Sequence, residues 1–170
     1  IYVRSYYANY RLVDCDLSYR DLSGAYLEHA VIRDTSFNST DLSGADFSFA
    51  TMVNDVYFTN ANLHGASLYQ VVCDWRWSCS LYFTYADLSE ADLRGADLSG
   101  ANLLGAEFRG ATLDGANLGN SVIDENTLFS KNISGVNFEY VDFSNRNFSG
   151  YNLNGNSFSH AKLEGANCSG

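Results

Sequence analysis

Positive charge is scarce in this chain: 10 lysines and arginines stand against 20 aspartates and glutamates, for a formal net charge of −10 over 170 residues and a pI near 4.5. A sequence-general nucleic-acid binder needs a basic footprint, so direct nucleic-acid binding is not expected. The acidity fits solubility, a basic partner, competition for a basic site, or simply aspartate used as a repeat residue. Long apolar runs are also missing. None approaches the ~20 residues that a membrane-spanning helix needs, and no charged-then-apolar segment opens the chain. No compartment is marked, and the cytoplasm is the default. Cysteine is limited to Cys15, Cys73, Cys79 and Cys168, without a CxxC pair, and His29, His64 and His160 are scattered singly. Zinc-type spacing is therefore absent, and neither a metal nor a cofactor is expected. Only Cys73 and Cys79 are near enough in sequence for a local disulfide; the alternative is small buried thiols at core positions. There is no GxSxG elbow, phosphate-binding glycine loop or HExxH, so no catalytic residues are assigned and an enzyme is not expected.

What the chain does have is a period of five. From Ala86 to Leu118 every fifth residue is Leu or Phe (Leu88, Leu93, Leu98, Leu103, Phe108, Leu113, Leu118), with Ala two places before each. Asp, Asn, Glu or Thr stands between them, and Ser, Arg or Gly is frequent after. Five is neither the 3.6 of a helix nor the 2.0 of a flat strand; it marks a structural repeat. We call the Leu/Phe position the centre and the residue two before it the small position.

The whole of 1–170 reads as one repeat domain. Centres run loosely from Tyr2 and Tyr7 through Leu12 to Met52, then slip: the next is Phe58, six residues on, which predicts a one-residue bulge within 53–57. From Phe58 a single frame is expected to hold to Cys168, except at VVCDWRWSCSLYF, residues 71–83. Kept in frame, that segment would place Arg76 and Ser78 inside, at high cost for a lone charge. It either bulges outward near 73–80 or slips by one so that Trp75 and Trp77 point in. The outward bulge is favoured, because Trp is too large for the small position. After Leu118 the small position decays, with Lys131 and Arg146 among its occupants, and local distortion or exposure is expected there.

A unit of five with two inward positions must turn a corner each time. Four units make a coil of twenty residues, and stacked coils satisfy one another's backbone as parallel ladders. Columns at i, i+20 should then be apolar, as Leu88, Phe108, Leu128 and Phe148 are, and likewise Leu98, Leu118, Phe138 and Phe158. The run ADLSEADLRGADLSGANLLGAEF resembles the A(D/N)Lxx consensus of the pentapeptide-repeat family, and the likeness covers nearly the whole chain. The resemblance implies an all-β fold, a right-handed quadrilateral parallel β-helix. About eight 20-residue coils at ~4.8 Å each would make a rod about 40 Å long. Its ends carry unpaired backbone and no helical cap is legible, so the expectation is a piece of a longer protein or an end that pairs with a second copy of the chain.

Asp87, Asp92 and Asp97 fall on different walls of such a coil and cannot make an acid–base dyad. Asp21 and Asp41 are expected one coil apart as a like-charge pair. The function expected is a non-enzymatic scaffold for protein–protein interaction, possibly as the β-helix domain of a larger protein. Its foreseen contact point is Asp74, Trp75, Arg76 and Trp77, since exposed Trp and Arg anchor interfaces and loops on rigid scaffolds carry function. The alternative implied by the resemblance is an acidic mimic of DNA that binds a type II topoisomerase such as gyrase, as in quinolone-resistance members. Its candidate acidic surface is Asp87, Asp92, Asp97 and Glu107. Ten net charges on a rod about 40 Å long fall short of one charge per ~1.7 Å in B-DNA, and Arg94 and Arg109 interrupt the acidic residues.

Overall fold

The local unit explains the composition. The Asp or Asn before each centre turns its Oδ1 back to accept the amide two residues on, as in Asp41 to Ser43 N (3.0 Å), Asp87 to Ser89 N (2.9 Å) and Asn147 to Ser149 N (2.9 Å). The centre's carbonyl then accepts the amide three residues on, as in Ala45 N to Leu42 O (2.9 Å) and Ala96 N to Leu93 O (3.0 Å). These are β-turns whose third residue has positive φ, the position that favours glycine. Gly115 holds φ +73° there, where a Cβ would meet only the backbone of Gly95 at 3.9 Å, so conformation rather than space selects glycine. Tyr19 takes the same corner at φ +59° with its side chain 82% exposed. Tyr19→Gly should therefore raise stability by about 0.5–1 kcal/mol, relief of left-handed strain outweighing glycine's extra entropy, read as a higher denaturant midpoint.

In the computed structural model, which describes residues 10–74 and 79–169, all named strand pairs and isolated bridges are parallel and no helix occurs among those residues. Strands β1 (Arg11–Val13), β2 (Val31–Ser36) and β3 (Thr51–Tyr57) stack in order. Both β4 (Val72–Cys73) and β5 (Cys79–Tyr82) pair with β3, completing a five-stranded sheet. Beyond it the coil is carried mostly by single-residue bridges; one wall runs Asp16, Ser36, Tyr57, Tyr82, Asn102 and Val122. The continuous sheet is thus shorter than the eight coils inferred from length. Asp21 and Asp41 do face each other across one bridge, each carboxylate engaged by the serine amide of its own turn at 3.0 Å.

The bulge foreseen at 53–57 is present. Arg33 pairs with Val53 but Thr35 pairs with Val56, so β3 carries one residue more than β2 over the same rise. Inside, centres and small positions form one apolar core in which Ile32, Phe37, Phe58, Leu88, Leu98, Phe108 and Leu118 are fully buried. Phe37, Phe58 and Phe83 stack face to face with centroids 5.1 and 4.8 Å apart, the spacing of neighbouring strands.

The expectation of one frame to the end fails at 123–131. Asn102 pairs with Val122, but Glu107 pairs with Leu128 and Phe108 with Phe129, one residue later, while Asn117 pairs with Asn137 in the original phase. One residue is gained and then lost. Leu128 is accordingly not a core-column residue: it lies outward on β7 (Leu128–Phe129), half-buried, and Phe129 fills the core against Phe108 of β6 (Glu107–Phe108) at 5.3 Å. Thr127 takes the small position, fully buried, its hydroxyl bonded to Leu103 O at 2.9 Å. Asp124 caps the added residue, accepting from Gly105 N (2.8 Å) and Thr127 N (3.0 Å). The other named column residues are buried, except Phe158, which is half-buried. Lys131 is exposed, as its misfit predicted.

Candidate interaction surfaces

The chain leaves β3 after Asp74, whose amide donates to Met52 O at 2.9 Å, and returns at Cys79 opposite Asn54. Since Cys73 pairs with Met52, departure and return lie two residues apart on β3, and a Cys73–Cys79 disulfide with Cα atoms 5.7 Å apart joins them. The extra length here is about one repeat, so the frame resumes at Phe83. Of the foreseen contact residues, Asp74 is at the foot of this excursion, while Trp75, Arg76 and Trp77 lie outside the described residues. Beside it Tyr57 and Tyr82 stack at 4.8 Å, and Tyr57 Oη donates to Asp55 Oδ2 at 3.2 Å. Burial first, and then the Asp55 charge, push the Tyr57 phenol up.

A second surface escaped the sequence reading. At the corner following one wall, His29 stacks on Phe49 (5.0 Å), Phe49 meets Tyr69 edge-on (5.3 Å), and the Arg94 guanidinium lies 5.4 Å from the Tyr69 centroid. Four successive rungs thus present a continuous aromatic–cationic column on a rigid backbone. Phe49 is 42% exposed, and Val72, which follows this corner one residue beyond Val71, is 44% exposed. The signal was partly available: His29 and Phe49 occupy the same corner position twenty residues apart, but once the extra residue in β3 is counted Gln70 and Gly95 take that corner on the next two coils, and Tyr69 and Arg94 stand one place before it.

The four acidic candidates do not converge. Asp87 and Glu107 are neighbours on one wall, but Asp92 pairs with Ser67 and Thr112 on the next, and Asp97 with Asn117 on a third. Arg94 holds Asp92 at 2.7 Å and Arg109 holds Glu107 at 3.0 Å. Asp97 receives the Asn117 amide at 3.1 Å, and Asn117 in turn that of Asn137 at 2.9 Å. The Arg94 hydrogen bond keeps the Asp92 carboxyl below the usual range. Asp142 is held down at about 2, by Ser144 first (hydroxyl, then amide) and then by Lys162. Asp16 and Asp21 are lowered by the serines of their own turns. For Asp124 burial pushes upward, but bonds from Gly105, Asn126 and Thr127 together prevail and lower it. Such carboxylates stabilise the fold above their unfolded value of about 4, and that contribution is lost as pH falls through their folded values. The melting temperature should hold from neutrality to about pH 4.5 and fall steeply toward pH 2, checked by thermal scans across that range.

Among the described residues no group of three or more His, Cys, Asp or Glu is placed to hold a metal ion, and no helix is long and apolar enough to cross a membrane. A family model described as pentapeptide repeats matches in eight copies over residues 11–48, 82–122 and 132–170, more than two thirds of the chain. No curated protein matches. Among solved structures, a trypsin-treated variant of QnrB1, a plasmid-mediated fluoroquinolone resistance protein, is similar at 21% identity with a TM-score of 0.56, covering 91% of this chain and 90% of that one. HetL, a pentapeptide-repeat protein involved in heterocyst differentiation regulation in the cyanobacterium Nostoc sp. strain PCC 7120, is 25% identical over 95% and 86% with a TM-score of 0.34. A pentapeptide-repeat protein of the Arabidopsis thaliana thylakoid lumen is 32% identical over 72% and 66% with a TM-score of 0.26.

Proposed function

The chain belongs to the pentapeptide-repeat family, and on that footing we propose that it is a non-enzymatic scaffold that binds a protein partner through the His29–Phe49–Tyr69–Arg94 corner. The observation that carries this reading is the column itself. Aromatic rings and an arginine on a backbone that does not reorganise are the residue types that dominate binding energy, and a preformed surface loses little entropy on docking. The segment closed by the Cys73–Cys79 disulfide, with Asp74 beside it, is the second contact region of this reading. A disulfide of this kind fits an oxidising compartment better than the reducing cytosol. Affinity capture with the wild-type chain and with Phe49→Ser/Tyr69→Ser tests the reading. A partner retained by the wild type should be lost from the variant while the two melt alike, and a partner retained equally by both overturns it.

Duplex-DNA mimicry directed at a topoisomerase is the second reading, favoured by the net charge of −10 and the shared rod architecture. Against it, Arg94 and Arg109 neutralise two of the four candidate acids, and the four are spread over three walls. The expected outcome of a gyrase supercoiling assay is no inhibition at micromolar protein.

A further inference from the structure

The register change at 123–131 opens the ladder on one wall. In the rung above, Leu93 N donates to Thr112 O at 2.8 Å and Thr112 N to Ala91 O at 3.0 Å. The equivalent bonds one coil on, Leu113 N to Asn132 O and Asn132 N to Ala111 O, are not made, and those amides have no other partner among the described residues. The ladder resumes beside the break, where Gly115 N meets Gly135 O at 3.0 Å. The break forms a cleft of about 260 Å³ with Ala111, Leu113 and Ile133 as its floor. Ala111 and Leu113 keep 9% and 4% of their surface, against 0% for Ala91 and Leu93 one coil before.

The lips of this cleft offer backbone donors and acceptors, and the one charged side chain among them is the Asp114 carboxylate. Besides the two freed carbonyls and the two freed amides, Thr112, Asp114, Asn132 and Asn152 line it, with Asn152 Oδ1 already accepting from Asn154 N at 3.2 Å. Asp114 has no ion-pair partner among the described residues. Ser134 Oγ donates to its Oδ1 at 2.9 Å, and the nearby Arg94 is committed to Asp92. A slot between two rungs that offers carbonyls and one free carboxylate oxygen fits a flat cation with donors along its edge, which is the chemistry of a guanidinium. The same protein does this on its inner side, where Arg146 donates to Asp124 O and Thr127 O, carbonyls of the same irregular segment.

We propose that the cleft between residues 111–114 and 132–134 is a binding site for a guanidinium group, presented by an arginine side chain of the protein partner. The site rests on the scaffold reading only for the source of that arginine, so it can be tested without the partner. N-acetyl-L-arginine methylamide is titrated into the full chain while backbone amide resonances are followed, with the lysine analogue and urea as comparison probes. The arginine probe should shift the Leu113 and Asn132 amides saturably, and Asp114→Asn should weaken it about five- to tenfold, whereas Asp87→Asn on another wall leaves it unchanged. Three results overturn the proposal. Equal binding of the lysine analogue is the first, since that is general attraction to an acidic surface. Urea must not match the arginine probe, with Asp114→Asn then without effect, since that is a neutral-amide site. Unshifted Leu113 and Asn132 amides mean that the cleft holds only water. None of these touches the corner column, whose failure is read separately by the Phe49→Ser/Tyr69→Ser capture.

Discussion

Phe58→Ala is expected to cost about 3–5 kcal/mol, the largest loss from any single substitution considered for this protein. Phe58 is fully buried between Phe37 and Phe83, its ring 5.1 and 4.8 Å from theirs, and Phe47 meets it edge-on at 5.8 Å. Truncation removes the middle plate of the stack. The flanking rings cannot close the gap, because each is held at its height by its own rung: Phe37 N donates to Tyr57 O at 2.7 Å and Phe83 N to Asn102 O at 2.8 Å. The cavity therefore persists, and the cavity penalty adds to the lost transfer energy. Leu163, 42% exposed on a late rung, provides the contrast; Leu163→Ala should cost under about 1 kcal/mol, because less surface was removed from water. Denaturant unfolding of both variants measures the difference. In a solenoid each coil touches only its neighbours, so Phe58→Ala should also broaden the transition as the coils on either side uncouple. An equal effect from the two substitutions would contradict this account of the core.

How far the sequence carries can be judged at the three places where the repeat fails. The extra residue in β3 was legible, because Met52 and Phe58 are separated by six and both neighbouring frames are clean. The Cys73–Cys79 closure was legible as one of two alternatives, and the ladder decides it by pairing the two cysteines with Met52 and Asn54, two residues apart on β3. The displacement of Leu128 by Phe129 was not legible. Both are apolar, they are adjacent, and an alternating pattern cannot choose between them. The choice is made by neighbours that look like filler: Thr127, whose hydroxyl satisfies Leu103 O, and Asp124, whose carboxylate caps the added residue. The family model leaves out 49–81 and 123–131, the segments that contain these irregularities. The His29–Phe49–Tyr69–Arg94 column was missed for another reason. It is built from turn positions that the repeat leaves free, and their contacts run between coils rather than along the chain. Local pattern finds the core and is silent about the surface that coils build together.

Arg146→Ala is expected to cost about 1–3 kcal/mol, even though it removes a half-buried charge. Arg146 occupies a small position, where consensus repeats have alanine, and burial, the main influence, holds its guanidinium below the usual arginine range. It is kept there by partners that only an arginine reaches together. Nη1 donates to Asp124 O at 2.7 Å, Nη2 donates to Thr127 O, and Cζ lies 5.7 Å from the Phe129 centroid. Both carbonyls belong to the segment displaced by the added residue; alanine, although the consensus choice, would leave Thr127 O without a partner and Asp124 O with only the Thr127 amide at 3.1 Å, and a buried unsatisfied group costs about 1–3 kcal/mol. The single-point ammonium of Arg146→Lys can satisfy one carbonyl but not hold both in a fork, so it should recover part of the loss. Arg146→Met separates the remaining possibilities. Replacing a buried charge by an apolar chain of similar size is often neutral, and a Met variant as stable as the wild type would mean that packing, not the two carbonyls, is what Arg146 supplies. If the carbonyls matter, Met should fall near Ala and below Lys. The denaturant midpoint should shift without a change in slope, and the Thr127 amide, bonded to Asp124, should exchange faster in Ala and Met than in Lys.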